Sequence, residues 1–211
     1  MNDAGPDLAT ILDSTADLVI NDGVDAVTFR AIAHRSGIPE VALSDQFASV
    51  EQIFVAMLNR EYRAMHASIV DNIDRDPRGG LLSRIYFYIL TAVYERPLPR
   101  ALYVTDPAAL NRIMRTVHGM QYQPQAGVRS SFIERMIEIG MARDVDARTV
   151  SAMLSAIAAG LAISSPSDDF DRIVKGIEFS LAELVDADVD DTQAGKIAFY
   201  EYASTLASDS H

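Results

Sequence analysis

The chain has no cysteine and no tryptophan, and only Lys175 and Lys196 of its eighteen basic residues are lysines. Without cysteine there is no disulfide framework, no thiolate metal site and no thiol nucleophile, which fits a reducing compartment. The four histidines, His34, His66, His118 and His211, have no partner at a ligand spacing such as H-E-x-x-H, so neither a metal nor another cofactor is expected. A run of about 18 apolar residues is also missing, which argues against a membrane-spanning helix. The opening MNDAGPDLAT has neither the basic start nor the apolar core of a secretory signal. The expected location is therefore cytoplasmic. No G-x-S-x-G elbow and no phosphate-gripping glycine loop occurs. An acid–base pair, such as His118 with a nearby tyrosine, could be assembled only in three dimensions, and the sequence offers an enzyme no ready-made apparatus.

Positive charge is scarce as well. The formal net charge is −12, and residues 1–59 hold nine acids (Asp3, Asp7, Asp13, Asp17, Asp22, Asp25, Glu40, Asp45 and Glu51) against Arg30 and Arg35, a net of −7. A module that grips a polyanion gathers lysine and arginine on its contact face, because counterion release drives the affinity. An acidic front end therefore weakens the case for nucleic acid.

What the chain does have is helical periodicity from end to end. Its 211 residues are 49% hydrophobic, enough for a small domain beside a larger one. Residues 7–22 place Leu8, Ile11, Leu12, Ala16, Val19 and Ile20 on one helical face, and Gly23 ends the run. DPRGG at 76–80 predicts a break. LLSRIYFYILTAVYE (81–95) is apolar around most of its circumference, as a helix buried on several sides must be, with Pro97 and Pro99 stopping it. Asp106–Pro107 read as the cap and first-turn proline of a further helix, and 119–127 as a loop. VRSSFIERMIEIGMAR is amphipathic and flows into a helix over about 147–164, capped by Asp146. The next, about 169–186, carries Phe170, Ile173, Val174, Ile177, Leu181 and Leu184 as one stripe. A last helix spans about 191–207, with Ile197, Ala198, Tyr202 and Leu206.

The most informative stretch is TFRAIAHRSGIPEVALSDQFASVEQIF, Thr28 to Phe54. Thr28 is placed to cap a short helix with Ile32 and Ala33 on its inner face. Gly37 supplies a turn that favours positive φ. Leu43 and Phe47 give the second short helix an apolar face at i, i+4. Ser49 opens a third helix, with Gln52 as its capping-box partner. This is helix-turn-helix spacing, in which the second short helix lies in the DNA major groove.

The stretch resembles the N-terminal domain of the TetR family of ligand-responsive repressors. Thr28, Ile32, Ala33, Gly37, Ile38, Leu43, Phe47, Ser49 and Glu51 stand where that family's pattern places its equivalents. The positions that face DNA depart from it. Pro39 replaces the capping serine, Val41 the glycine, Ala42 the threonine, Ser44 the phosphate-contacting tyrosine and Val50 the phosphate-contacting lysine. The DNA-contacting surface is degenerate on a well-kept scaffold.

The resemblance implies an all-α, TetR-like fold, with a three-helix head at 1–48 and a helical ligand-binding and dimerisation domain at 49–211. The expected function is a ligand-responsive transcriptional repressor. Thr28, Arg30, Arg35, Ser44, Asp45 and Gln46 are the candidate DNA contacts; Gln can pair with adenine, and a carboxylate can accept from cytosine N4. Tyr62, His66, Tyr88, Tyr103, Met114, His118 and Tyr122 are candidates to line a largely apolar pocket for a small molecule, although aromatics at helical spacing also serve simply as core. A homodimer through the helices at 147–164 and 169–186 is expected, where Ala152, Ala156, Ala159 and Gly160 allow close approach. The alternative is a TetR-fold protein that no longer reads DNA and acts as a small-molecule binder, an antagonist of a relative, or an enzyme in a biosynthetic pathway.

Overall fold

The computed structural model describes residues 7–105, 128–164 and 169–208, apart from the side chains of 103–105, 162–164 and 206–208. The helix and loop expected between 106 and 127 lie outside them, as do Met114, His118 and Tyr122. The described chain is helical, with no strand; the nearest thing to one is an isolated antiparallel bridge between Ala142 and Asp186.

Two compact units are present. Among the described residues, the first takes in those from Asp7 to Ala64 and from Arg96 to Thr105; the second takes in Met65–Glu95 and those from Val128 on. In the first, α1 (Leu8–Asp22) starts at Asp7, whose carboxylate accepts from the Ala9 N–H at 3.2 Å, and it ends at Gly23 with φ 84°. After a 3₁₀ turn at Val24–Ala26, α2 (Phe29–Ser36) is capped by Thr28, whose Oγ1 accepts from the Ala31 N–H at 3.1 Å. Gly37 closes α2 in the left-handed region, φ 72°, as the turn requires. Next come α3 (Glu40–Gln46) and the start of α4 (Val50–Arg75). Ile11, Ile32, Leu43, Ile53 and Met57 are fully buried in one core with Leu12, Leu18, Val19 and Phe54.

Two local expectations need correction here. The Gln52 side chain does reach back, but to the N–H of Ala48 (2.9 Å) rather than that of Ser49. The capping interaction is thus displaced by one residue. Pro97 and Pro99 do end the preceding helix, yet they also open a new helical turn, Pro97–Pro99, which runs into a π-helical stretch, Arg100–Thr105. A proline in the first turn has no N–H to lose there.

The second unit holds the rest of α4, α5 (Leu82–Tyr94), α6 (Ser130–Glu138), α7 (Ala147–Ser164), α8 (Phe170–Leu184) and α9 (Gln193–Ser208). As its composition demands, α5 is central, with Leu82, Ile85 and Tyr86 fully buried and α8 packed along it. The Tyr86 hydroxyl donates to the Leu154 carbonyl at 2.8 Å, so its polar tip is satisfied in the core. Asp146 caps α7, accepting from the Arg148 N–H and the Thr149 hydroxyl.

The amphipathic run after Val128 is shorter than expected. It stops at Glu138 because Gly140 turns left-handed at φ 74°, and the Met136 carbonyl then accepts from the N–H groups of Met141 and Ala142. The freed segment pairs instead through the isolated bridge: the Arg143 N–H donates to the Val185 carbonyl, and the Ala187 N–H to the Met141 carbonyl. The single stripe expected on α8 divides into two faces. Val174 and Leu181 are buried, whereas Ile173 and Leu184 are exposed together with Phe179.

Candidate functional site

The head presents α3 as a helix-turn-helix recognition helix should be presented. Leu43 roots it in the core, and Ser44, Asp45 and Gln46 are exposed together on its outer side beside Val41. Pro39 occupies the N-cap with no side-chain hydrogen bond, and Glu40 fills the first turn. A carboxylate there occupies the positive end of the helix dipole, where a phosphate would otherwise sit. The Ser44 hydroxyl donates to the Val41 carbonyl at 2.9 Å, leaving its lone pairs outward.

The two head arginines differ. Arg35 is held by Asp22 at 2.7 Å, both partly exposed. Arg30 has no ion pair among the described residues and lines an open cleft of about 570 Å³ with Asp25, Thr28, Glu40, Val50 and Glu51. The Thr28 oxygen is already committed to capping α2. The Ser49 hydroxyl holds the Glu51 carboxyl below the usual carboxylate range, so it is ionised at neutral pH. Arg30 therefore faces a cleft with three carboxylates on its walls.

Of the pocket candidates on α4, Tyr62 in the first unit is exposed and His66 in the second is half-buried. Tyr103 shares with Met114, His118 and Tyr122 a side chain outside the described residues. Tyr88 sits in a polar cluster that its sequence context gives no sign of. Its hydroxyl donates to Asp76 Oδ2 (3.0 Å) and accepts from Arg84 Nη2 (2.8 Å). Arg84 also pairs with Asp76 at 2.5 Å and with Glu178 of α8, and its guanidinium lies 4.9 Å from the Phe87 ring centroid. Partial burial pushes Asp76 up, but the hydrogen bonds from Arg84, the Arg78 N–H and Tyr88 outweigh it and leave the carboxyl below its ordinary value. No group of three or more His, Asp or Glu side chains among the described residues could hold a metal ion. No single described helix is long and apolar enough to cross a membrane.

A three-helix head with a helix-turn-helix, followed by a larger unit that is all-helical among the described residues, defines the class: a helix-turn-helix protein with an appended helical domain. Comparison narrows it. The family model for the N-terminal domain of bacterial regulatory proteins of the tetR family matches residues 11–57. CprB from S. coelicolor A3(2) superposes with a TM-score of 0.58 over 94% of this chain and 96% of its own, at 16% identity. CprB in complex with its biological operator sequence gives 0.51 over 94% and 95%, at 18% identity. A gamma-butyrolactone receptor, ArpA-like, gives 0.56 over 91% and 94%, at 16% identity. No curated protein matches in sequence. The head thus matches the tetR-family model over residues 11–57, and the chain shares the fold of these regulators over most of its length.

Proposed function

We propose that this chain is a TetR-family regulator, a cytoplasmic, homodimeric, ligand-responsive repressor that reads DNA through α2 and α3. The observation that carries the reading is the recognition helix: capped α2, left-handed Gly37 and buried Leu43 hold Ser44, Asp45 and Gln46 outward as one polar patch. Such a patch offers donors and acceptors for base edges even with few phosphate anchors. CprB, which shares the fold, has been captured on its operator. Another neighbour is a receptor for a small molecule, a gamma-butyrolactone. A small, largely apolar ligand in the second unit is the matching effector here, with His66 and Tyr88 its described candidate contacts.

The dimer face proposed is that of α7 and α8. Met153, Ile173, Phe179 and Leu184 are exposed there, and Cβ atoms added at Gly160 and Gly176 would meet nothing within 4 Å. Large apolar side chains left in water beside small residues make a surface that another helix pair can cover. Footprinting on the upstream region of its own gene tests the regulator. Wild type should protect a palindromic site, and Gln46→Ala should lose sequence preference. Equal protection of scrambled DNA would overturn the reading.

A specific observation favours a second reading, in which the head no longer reads DNA: Arg35 is committed to Asp22, and Arg30 looks into an acidic cleft. On this reading the second unit alone carries the function, binding a small molecule. Deletion of the gene would then leave the expression of its neighbours unchanged.

A further inference from the structure

The outer face of α3 is short of hydrogen-bond donors. Its seven residues, Glu40–Gln46, include no lysine, arginine or histidine. The commonest specific contact to guanine is a bidentate arginine or lysine on O6 and N7, and α3 has no side chain to make it. Arg35, on α2, is held by Asp22. What α3 carries outward is Val41, Ser44 and Asp45, which stand at i, i+3 and i+4 and so share one helical face.

Each of the three is limited in what it can recognise. The Ser44 hydroxyl proton is spent on the Val41 carbonyl at 2.9 Å, so the oxygen turns only lone pairs outward. A carboxylate such as that of Asp45 accepts and does not donate. Val41 offers only methyl groups, and at 70% it is the most exposed of the large hydrophobic residues described. A single exposed apolar side chain is ordinary, but this one stands on the face that a helix-turn-helix turns to the major groove. Valine is also a weaker helix former than alanine or leucine, so α3 itself does not call for it.

The base edges complete the match. In the major groove cytosine N4 and adenine N6 are amino donors, guanine O6 and N7 and thymine O4 are acceptors, and thymine alone adds a C5 methyl. Acceptors on Ser44 and Asp45 pair with an amino group and are left opposing lone pairs at guanine. The Val41 methyls pack on a thymine methyl and find no counterpart on the other bases.

We infer that α3 reads pyrimidine substituents: Val41 a thymine C5 methyl, and Asp45, with Ser44 beside it, a cytosine N4 amino group. Side chains three or four apart on a helix sit about 5–6 Å from each other, and successive bases of one strand about 3.4 Å. The thymine and the cytosine therefore lie one or two base-pair steps apart in each half-site. Val41 and Asp45 are the specificity-determining residues. The inference rests on the DNA-reading head proposed above and names the base edges it reads.

Selection of duplexes from a randomised pool by the full chain, followed by fluorescence anisotropy on the enriched duplex, tests it. The enriched half-site should hold a thymine and a cytosine at that spacing. Uracil in place of the thymine removes only the methyl and should weaken binding about fourfold. Val41→Ala should abolish this methyl effect and leave the cytosine preference. Asp45→Asn should shift the cytosine position toward adenine, the base an amide pairs with, while the thymine preference stays. 7-Deazaguanine at every guanine should change the affinity less than about twofold, since no N7 contact is lost. Both side chains are exposed, so the variants should keep the fold, and the altered duplexes need no variant at all. A motif with no uracil effect, preferences that both variants leave as in wild type, or a marked loss with 7-deazaguanine would overturn the inference and leave the DNA-reading head standing. No enrichment of any sequence by the folded protein would overturn both.

Discussion

Phe179→Asp separates assembly from folding. Phe179 is 67% exposed on α8, with Leu184 at 63% a little further along. A phenylalanine offers about 200 Å² of surface, so covering it in a dimer would remove roughly 130 Å² from water, or about 3 kcal/mol at 25 cal/mol per Å². A twofold interface uses the residue twice, giving about 6 kcal/mol and a Kd weakened by about four orders of magnitude. The charge of the new aspartate adds to that loss. Within one protomer the side chain is already in water, so the intrinsic fold should change by no more than about 0.5 kcal/mol. Sedimentation equilibrium over a wide concentration range reads the first quantity, and far-ultraviolet circular dichroism reports retention of the helices. A dimeric wild type and a helical, monomeric variant are expected. A variant that dimerises with unaltered Kd would refute the assignment of α8 to the interface, and a monomeric wild type would refute the dimer.

Other perturbations probe the head and the buried carboxylate. Leu43→Ala, at a fully buried position, should cost about 2–5 kcal/mol in urea unfolding, the range for core leucines. Gly37→Ala meets no steric obstacle, nothing lying within 4 Å of the new Cβ, so its cost should be only the left-handed backbone penalty of about 1–2 kcal/mol. Asp22→Asn releases Arg35 from its ion pair; if DNA is bound, the logarithmic salt slope should steepen by about 0.9 per protomer. Burial pushes the Asp186 carboxyl above its ordinary value, against the hydrogen bonds from Ser83. A folded-state pKa raised above the unfolded one gives stability that is full at low pH and lost as pH rises through the folded value. The Asp186→Asn variant keeps a polar side chain for Ser83 without the charge. The unfolding free energy of wild type minus that of Asp186→Asn should therefore fall as pH rises from about 4 to about 7; a flat difference would contradict the sign.

The head was legible because its signals are local. Thr28 caps a helix that starts at the next residue, Gly37 turns the chain where α2 ends, and Leu43 is placed by helical spacing alone. The same locality made Gly23, Asp146 and the break after α4 readable. What could not be read depends on pairs far apart in sequence. Asp22 neutralises Arg35, although nothing near either residue announces it. Asp186 caps α5 across more than a hundred residues, and Lys196 reaches Asp74 across a similar gap. The periodicity of Tyr88 gives no sign that its hydroxyl is engaged by Asp76 and Arg84, which only the folded chain brings together. The stripe on α8 misled for a related reason: periodicity finds apolar faces but does not separate a face covered within the protomer from one left for a partner.

The regulator reading stands or falls on fluorescence anisotropy with DNA from the upstream region of its own gene, titrated from low to physiological salt. Saturable binding that beats scrambled DNA is expected. Its salt slope should be shallow, because Arg30 is the one head arginine not held in an ion pair among the described residues. No binding at low salt by a well-folded protein would contradict a DNA-reading head.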